Sequence, residues 1–529
     1  EVSKPPAEDV PACPCDTDQL ALETGTFEAD DACNMGSGCG FHPGAYHCVR
    51  SRTASASGGG QQCCYSKPKG GEPGVILPFR LGDGQLAGGT YDRAHVKGHF
   101  SLSSVKIPYL SHFKEDVLPF FYCCEWSNNC HKYSDVRYTD DCSEYEPPRP
   151  AVTMGDPHIT TLDGTQYTFN GIGEYTVINI EDSFTMQGRT QQAIDVWGSP
   201  SPASMWTAFV MKSHSGHSDT VHVATNERQP LQVLINGQIE QFDDLPQQEF
   251  NGVDVAITEV ANTTSAHISF ANGIFIKVTS VEDSLQFQMV VPEKFRLQTQ
   301  GLLGNFNDQQ DDDFQKPDGS IMSLNSSLAE IHDFGQLWQT TPNTSLFTYA
   351  TGESHQAFQN PDFRPTFDFE QVDQETKDAG VLLCGEDAFE CLFDYVTTGR
   401  ESFALASKRA NDEYLVMFQQ SNKTVVTCGF LETPAHGSQQ AVDYFSGSTV
   451  TFSCDEGYGL QGSESRTCLE EGIWTGTQTT CVSDSDEGIA LWILATIGAV
   501  AAVMLIVMIV GVICAIRHCR CSGKEGMTV

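Results

Sequence analysis

The 529-residue sequence predicts a mainly β, multidomain chain that carries a single transmembrane helix near its C-terminus. Three observations lead there. Short runs of alternating apolar and polar residues recur between Gly, Asn and Asp turns, the period-2 pattern of half-buried strands. Twenty cysteines lie on either side of a stretch, between Cys142 and Cys384, that holds none, as expected of disulfide-stapled modules flanking a domain with an ordinary apolar core. A 28-residue segment, Ile489 to Ile516, carries no charge and exceeds the roughly 20 apolar residues needed to cross a bilayer as a helix.

Charge narrows the class of partner. Lys plus Arg number 30 against 69 Asp plus Glu, a net charge of −39, which leaves no sizeable basic patch to neutralise phosphates and argues against nucleic acid. No cysteines fall in paired CxxC zinc-ribbon spacing, so disulfides in an oxidising compartment are expected instead. Four N-x-S/T sequons, at Asn262, Asn325, Asn343 and Asn422, all precede the apolar segment and predict a glycoprotein.

Residues 1–150 form the first expected unit. Eleven cysteines run from Cys13 to Cys142, among them CPC, the vicinal pairs Cys63/Cys64 and Cys123/Cys124, and the ending of PYLSHFKEDVLPFFYCC. This layout resembles the AMOP domain, an extracellular module associated with adhesion in mucin-4-like proteins. The resemblance implies a disulfide-rich AMOP-like fold.

Residues 151–346 lose cysteine and carry the strand-like runs YTVINI, DTVHVAT, LQVLING, GIFIKVTSV and SLQFQMVV, which predict an antiparallel β domain. It opens with TMGDPHITTLDG. Asp-Pro is the peptide bond most labile to acid, because the aspartyl carboxyl can attack its own carbonyl carbon and proline nitrogen leaves well once protonated. Asp156 is the internal nucleophile, Pro157 nitrogen the leaving group, and His158 a donor that titrates near neutral pH; Gly155 permits an unusual backbone angle. Four residues alone favour a plain proline turn. A second cluster, GLLGNFNDQQDDDF at Gly301 to Phe314, offers Asn305, Asn307, Asp312 and Asp313, with Asp163 of TLDG as a remote carboxylate. Such oxygens suit calcium, although the spacing is not that of an EF-hand; a solvated acidic turn is the plainer alternative.

GDPHITTLDG followed by GLLGNFNDQQDDDF resembles a von Willebrand factor type D domain. The resemblance implies scission between Asp156 and Pro157, a single-turnover self-cleavage in the acidifying secretory pathway, and calcium at the acidic turn. Where many such domains have cysteines, this chain reads GLLGNFN and GEYTV, so disulfide polymerisation of the gel-mucin kind is not expected.

Residues 347–426 read as a linker, FTYATGESHQAFQNPDFRPTF, then a helical extension from about Glu401. Residues 427–482 hold four cysteines around VTFSCDEGYGLQGSESRTCLEEGIWTGTQTTC and resemble a sushi, or complement control protein, module of small β fold. That resemblance implies pairing of Cys428 with Cys468 and of Cys454 with Cys481, with Trp474 filling the core. Residues 489–516 are the expected span and 517–529 the tail. Asp484, Asp486 and Glu487 precede the span, whereas Arg517, Arg520 and Lys524 follow it, which predicts type I topology with the N-terminus outside, at the plasma membrane. That topology needs a signal peptide, and the opening EVSKPPAEDVPACPC has none, so an upstream portion is expected. Cys519 and Cys521 are candidates for palmitoylation, and the terminal MTV resembles a class II PDZ ligand.

Eleven cysteines precede Asp156, six extracellular ones follow it, and Cys514, Cys519 and Cys521 lie at the inner membrane end. If Cys384 pairs with Cys391, the six are satisfied and one of the eleven is left over. It either bonds to an upstream region or bridges to Cys384 or Cys391 and ties the two fragments together. Even without a bridge, pairing of Ala151 to Met154 into the sheet would keep the fragments associated. The chain carries no HExxH, GxSxG, P-loop or dinucleotide fingerprint, so no turnover enzyme is expected and a hydrolase is a distant third reading. The order of AMOP, type D and sushi modules before one span resembles sushi-domain surface proteins. It implies adhesion to, or recognition of, an extracellular protein or lectin on cells or matrix, with a growth- or immune-signalling receptor or tethered ligand as the alternative.

Overall fold

The computed structural model describes residues 10–30, 33, 45–53, 60–77, 118–127, 129, 132–133, 140–214, 216, 218–225, 231–260, 263–365, 372–440, 443–484 and 500–514. The chain divides into two units, Glu1–Val425 and Val426–Val529.

The first unit begins with a short helix α1 (Thr17–Leu20), whose first turn is capped by the Asp16 carboxylate, and a three-stranded antiparallel sheet of β1 (Phe27–Ala29), β2 (His47–Ser51) and β3 (Gln62–Tyr65). Successive side chains of a strand point to opposite faces. The vicinal Cys63 and Cys64 of β3 accordingly take different partners, Cys13 and Cys48, and a third bridge joins Cys15 to Cys142. The buried Asp140 carboxylate accepts from the Cys13 and Cys142 amides and from Gln61 Nε2, at 3.1, 2.8 and 2.6 Å. Polar bonding thus reinforces the covalent staple in a module with little apolar core. Among the described residues of this module Cys123 is a free thiol.

The centre of the unit is a 15-stranded, antiparallel sheet system. Its strands are β4 (Arg149–Met154), β5 (His158–Thr160), β6 (Gln166–Thr168), β7 (Glu174–Ile180), β8 (Phe184–Ile194), β9 (Pro200–Ser213), β10 (Val221–Ala224), β11 (Gln232–Ile235), β12 (Gln238–Ile239), β13 (Gln247–Phe250), β14 (Val253–Val260), β15 (Thr263–Phe270), β16 (Phe275–Val281), β17 (Ser284–Val291) and β18 (Thr299–Gln300). The main path runs β12-β11-β10-β9-β17-β16-β15-β14-β13, while β8 and β7 join at β9 and the β4–β5–β6 ribbon joins at β17. The alternating runs in the sequence form β7, β10, β11, β16 and β17. Their inward faces meet in one core in which Trp206, Phe209 and Phe287 are fully buried, the last two edge to face at 5.1 Å.

Beyond the sheet lie α2 (Leu328–Gln336), started by a Ser327/Glu330 capping box, then α3 (Gln374–Cys384), α4 (Phe389–Thr398) and α5 (Glu401–Ser421). The predicted extension is therefore three helices, of which α5 matches the periodicity read from Glu401. Cys384 and Cys391 are bonded to each other at the α3–α4 corner, which removes both as partners for a bridge from the N-terminal cysteines. Helix α5 lays Ala410, Tyr414 and Phe418 against Val152 and Met154 of β4, so its apolar stripe covers one face of the ribbon.

The second unit contains β19 (Gly437–Gln440), β20 (Thr449–Cys454), β21 (Tyr458–Gln461), β22 (Ser465–Thr467) and β23 (Thr480–Ser483). Cys428 is bonded to Cys468 and Cys454 to Cys481. Trp474 packs with Tyr444, Val450 and Phe452 and donates its indole N–H to Gly429 O at 2.9 Å. Of the predicted span, residues 500–514 are helical and the rest lies outside the described residues. Among the described residues no helix is long and apolar enough to cross a membrane.

Candidate functional site

The GDPH motif is the tip of a hairpin. Strands β4 and β5 pair Val152 with Thr160, Thr153 with Ile159 and Met154 with His158, so Gly155, Asp156 and Pro157 form a three-residue turn. Gly155 sits at φ +57°, where only a residue without Cβ is at ease, and a Cβ there would collide with Asp394 Oδ2 and Ser407 Oγ. Hairpin tips usually face water. This one does not: Asp156 is 1% exposed and His158 3%, because α4 and α5 close over it.

Each polar group of the turn has a defined environment. Asp156 N–H donates to Asp394 Oδ1 at 3.0 Å, and the same oxygen meets His158 Nε2 at 3.1 Å. His158 Nδ1 lies 2.8 Å from Thr168 Oγ1, and Ser407 Oγ donates to Asp394 Oδ2 at 2.5 Å. Asp156 Oδ1 accepts the Ser204 amide at 3.2 Å, while Asp156 Oδ2 is buried with no hydrogen-bond partner. Burial, and then the negative charge of Asp394, push the Asp156 carboxyl up to about 8, which favours its protonated form near neutral pH. Burial opposes the His158 cation, but the charge and hydrogen bond of Asp394, with Asp156 and Glu390 adding to them, raise it above its ordinary value.

The arrangement presents an unengaged carboxyl oxygen on the residue whose own carbonyl forms the Asp-Pro bond. It also holds a histidine one residue beyond the leaving nitrogen. Sequence reading named Asp156, Pro157 and His158. It missed Asp394, Thr168, Ser204 and Ser407, because nothing in FECLFDYVTT separates a buried, hydrogen-bonded aspartate from an exposed one.

The acidic turn gathers the five expected calcium residues around one loop. Asp163 accepts the Asn307 and Asp308 amides at 2.8 and 2.9 Å, and Asn307 Nδ2 donates to both Asp312 oxygens at 3.1 and 2.9 Å. Asp313 Oδ2 accepts from Thr161 Oγ1 at 2.6 Å, whereas Asp313 Oδ1 and Asn305 Oδ1 are buried without partners. Burial pushes the Asp313 carboxyl up to about 7. An orphaned asparagine oxygen and an orphaned oxygen of a desolvated carboxyl are donors of the kind a hard cation takes. Among the described residues no group of three or more His, Cys, Asp or Glu converges to hold a metal, so an ion here would have to draw on asparagine oxygens. The sequons Asn325, Asn343 and Asn422 are exposed, and Asn262 lies outside the described residues.

These features define a chain of extracellular-type modules. Residues 1–146 match the AMOP domain, 151–320 the von Willebrand factor type D domain, 370–419 the Mucin-4-like C8-3 domain and 428–481 the sushi repeat. The helices α3 to α5, read from the sequence as an extension, thus fall within a module of their own. The sequence is similar to Sushi domain-containing protein 2 of Homo sapiens, with 35% identity over 515 residues, covering 94% of this chain and 61% of that protein. It is also 30% identical to Protein mesh of Bombyx mori over 492 residues, 87% of this chain and 31% of that one. Mucin-4 of Homo sapiens shares 30% identity over 326 residues, 59% of this chain and 6% of the mucin. The chain therefore spans less than two thirds of each of these relatives. Its domains and relatives suggest an extracellular adhesion or recognition protein, cell-surface or secreted.

Proposed function

We propose that this chain is a type I cell-surface glycoprotein of adhesion or protein recognition, matured by scission between Asp156 and Pro157, with its two fragments staying associated. The observation that carries the reading is the buried Asp156 with one carboxyl oxygen unengaged, in a setting where burial raises that carboxyl to about 8. In the scission an Asp156 carboxyl oxygen bonds to the Asp156 carbonyl carbon and the bond from that carbon to Pro157 nitrogen breaks. The proton lost by the carboxyl is balanced by one gained at Pro157 nitrogen. The product is a five-membered cyclic anhydride, which water opens to leave Asp156 as a new C-terminus. The step occurs once per chain, and no turnover enzyme is proposed.

Association is supported by where the cut falls. Strand β4 ends just before it and pairs with β17 through five residue pairs, Arg149 with Val291 to Thr153 with Phe287. Ser421 Oγ also donates to Pro148 O, and Lys423 bonds to Asp16 and Asp18. Each disulfide between described residues lies wholly on one side of the Asp156–Pro157 bond. The tether proposed is therefore non-covalent. Anchoring rests on the uncharged Ile489–Ile516 segment and its charge-asymmetric flanks. Calcium at the acidic turn, held by Asp163, Asn305, Asn307, Asp312 and Asp313, would stiffen the loop through charge neutralisation.

Intact-mass analysis of the chain from secretory cells tests the cut: two fragments, one ending in Asp156, are expected, and two fragments from an Asp156→Ala chain would sink the mechanism. Proximity labelling on living cells, comparing wild type with Asp156→Ala, tests the role. Neighbours dominated by adhesion proteins or lectins fit the first reading. A soluble factor held only by the cut form would favour a receptor or tethered ligand instead, a reading supported by a proximal fragment held without a covalent bridge between described cysteines.

A further inference from the structure

One carboxylate oxygen holds both neighbours of Pro157. Asp394 Oδ1 takes the Asp156 amide on the upstream side and the His158 ring on the downstream side, at 3.0 and 3.1 Å. Its other oxygen is fixed by Ser407 on the next helix, and Asp394 itself is 0% exposed. We propose that Asp394 is the positioning residue for scission, and that docking of α4 and α5 onto the β4–β5 hairpin arms the Asp156–Pro157 bond. The inference rests on the scission reading above and adds a requirement to it.

The argument is geometric first. The Asp156 amide is pinned by Asp394 and its Oδ1 is held by the Ser204 amide. Together these contacts restrict the backbone and side-chain torsions of Asp156, the torsions on which approach of the free Oδ2 to its own carbonyl carbon depends. On the far side the His158 ring is clamped between Asp394 and Thr168. Gly155 supplies the remaining requirement, since any side chain there would push Asp394 and Ser407 away. Asp394 takes no part in the bond changes.

Charge acts in the same direction. The groups around Asp156 and His158 are Asp394 and Glu390 on α4, Thr168 on β6, Asn170 in the turn after it, Ser204 on β9 and Ser407 on α5. Of these only Asp394 and Glu390 are ionisable side chains. Burial and then the negative charge of Asp394 hold the Asp156 proton to higher pH than water would, and against burial Asp394 with Glu390 does the same for His158, so that a proton remains available for Pro157 nitrogen. Asp394 lies 238 residues after Asp156. A nascent chain therefore stays whole until the helical module has been made and docked, and scission reports a completed fold.

The test uses the full chain expressed in secretory cells, followed by pulse-chase on reducing gels and by scission of purified, still-uncut precursor across pH 5 to 9. Asp394→Ala should slow scission by roughly 100-fold or more, the order expected when a reacting group is misplaced by about 1 Å. Asp394→Asn keeps an acceptor for the Asp156 amide but removes the charge. It should cut at an intermediate rate, with the high-pH fall of its profile moved toward acid, a shift that mere loosening of the fold would not produce. Ser407→Ala should slow scission without that shift. Asp394→Asn and Ser407→Ala chains that are secreted, melt like wild type and are cut at the wild-type rate with an unmoved profile would overturn the role of Asp394, even if Asp394→Ala fails to fold. An uncut wild-type chain would instead remove the scission reading, and this inference with it.

Discussion

Replacing Met154 by alanine should free the N-terminal fragment of the cut protein. Met154 is 1% exposed, two residues before the scissile bond, and packs with Val152 against Ala410, Tyr414 and Phe418 of α5. Truncating a buried methionine costs about 2–5 kcal/mol, which as a loss of fragment affinity is roughly a 30- to 5,000-fold rise in Kd. Arg149 on the same strand is the control. Its contacts across the cut, to Asp308 at 2.8 Å and Asn422 at 2.6 Å, are surface ones, with Asp308 38% exposed. Exposed pairs of this kind contribute no more than about 1 kcal/mol, so Arg149→Ala should raise Kd less than about tenfold. Dilution of cut protein followed by size-exclusion chromatography reads the dissociation, and fragment released into medium reads it on cells. Met154→Ala fragments as tightly held as wild type, or fragments that separate only under reducing conditions, would refute packing of β4 as the tether.

Gly155→Ala should leave the chain uncut, because its Cβ meets Asp394 and Ser407 at a φ of +57°; gel analysis of the secreted variant checks this, and normal cutting would contradict the geometry. His222 should contribute to acid sensitivity. Burial, then the Arg189 charge, lower it to about 4, and neither ring nitrogen has a partner. A base depressed on folding stabilises the native state above its ordinary value of 6.5 and loses that contribution as pH falls through about 4. Over that window the loss is up to about 3 kcal/mol, so His222→Phe should flatten the fall in Tm between pH 7 and 4. Calcium at about 100 times its Kd should stabilise the first unit by about 2.7 kcal/mol. Chelation should lower Tm in wild type and leave Asp313→Asn unchanged, whereas equal responses would exclude the acidic turn as the site.

Much of the architecture was legible because it is locally encoded. Period-2 runs such as YTVINI and SLQFQMVV become β7 and β17, since alternation decides which face a strand buries. The resemblance to a sushi module, carried by the cysteine spacing and G-x-W, implied a core around Trp474, which the structure contains. Helices α3 and α4 carry Gly380 and a β-branched ending, VTT, that weaken helix propensity. Their helicity comes from packing and from the Cys384–Cys391 bond, which local periodicity does not contain.

By itself the sequence determined which bond is chemically weakest and which oxygens surround it in the chain: GDPH contains its own nucleophile, leaving group and histidine. The tertiary structure decided whether those groups have a reactive environment. Ionisation depends on burial and on charges within a few ångströms, and the decisive charge, Asp394, comes from a helix 238 residues away. The same distinction holds for the fragments. Sequence reading expected Ala151 to Met154 to pair as a strand, but only the fold places β4 between β17 and β5 under α5, where a chain broken at Asp156 would remain held because strand pairing and buried apolar area do not depend on covalent continuity.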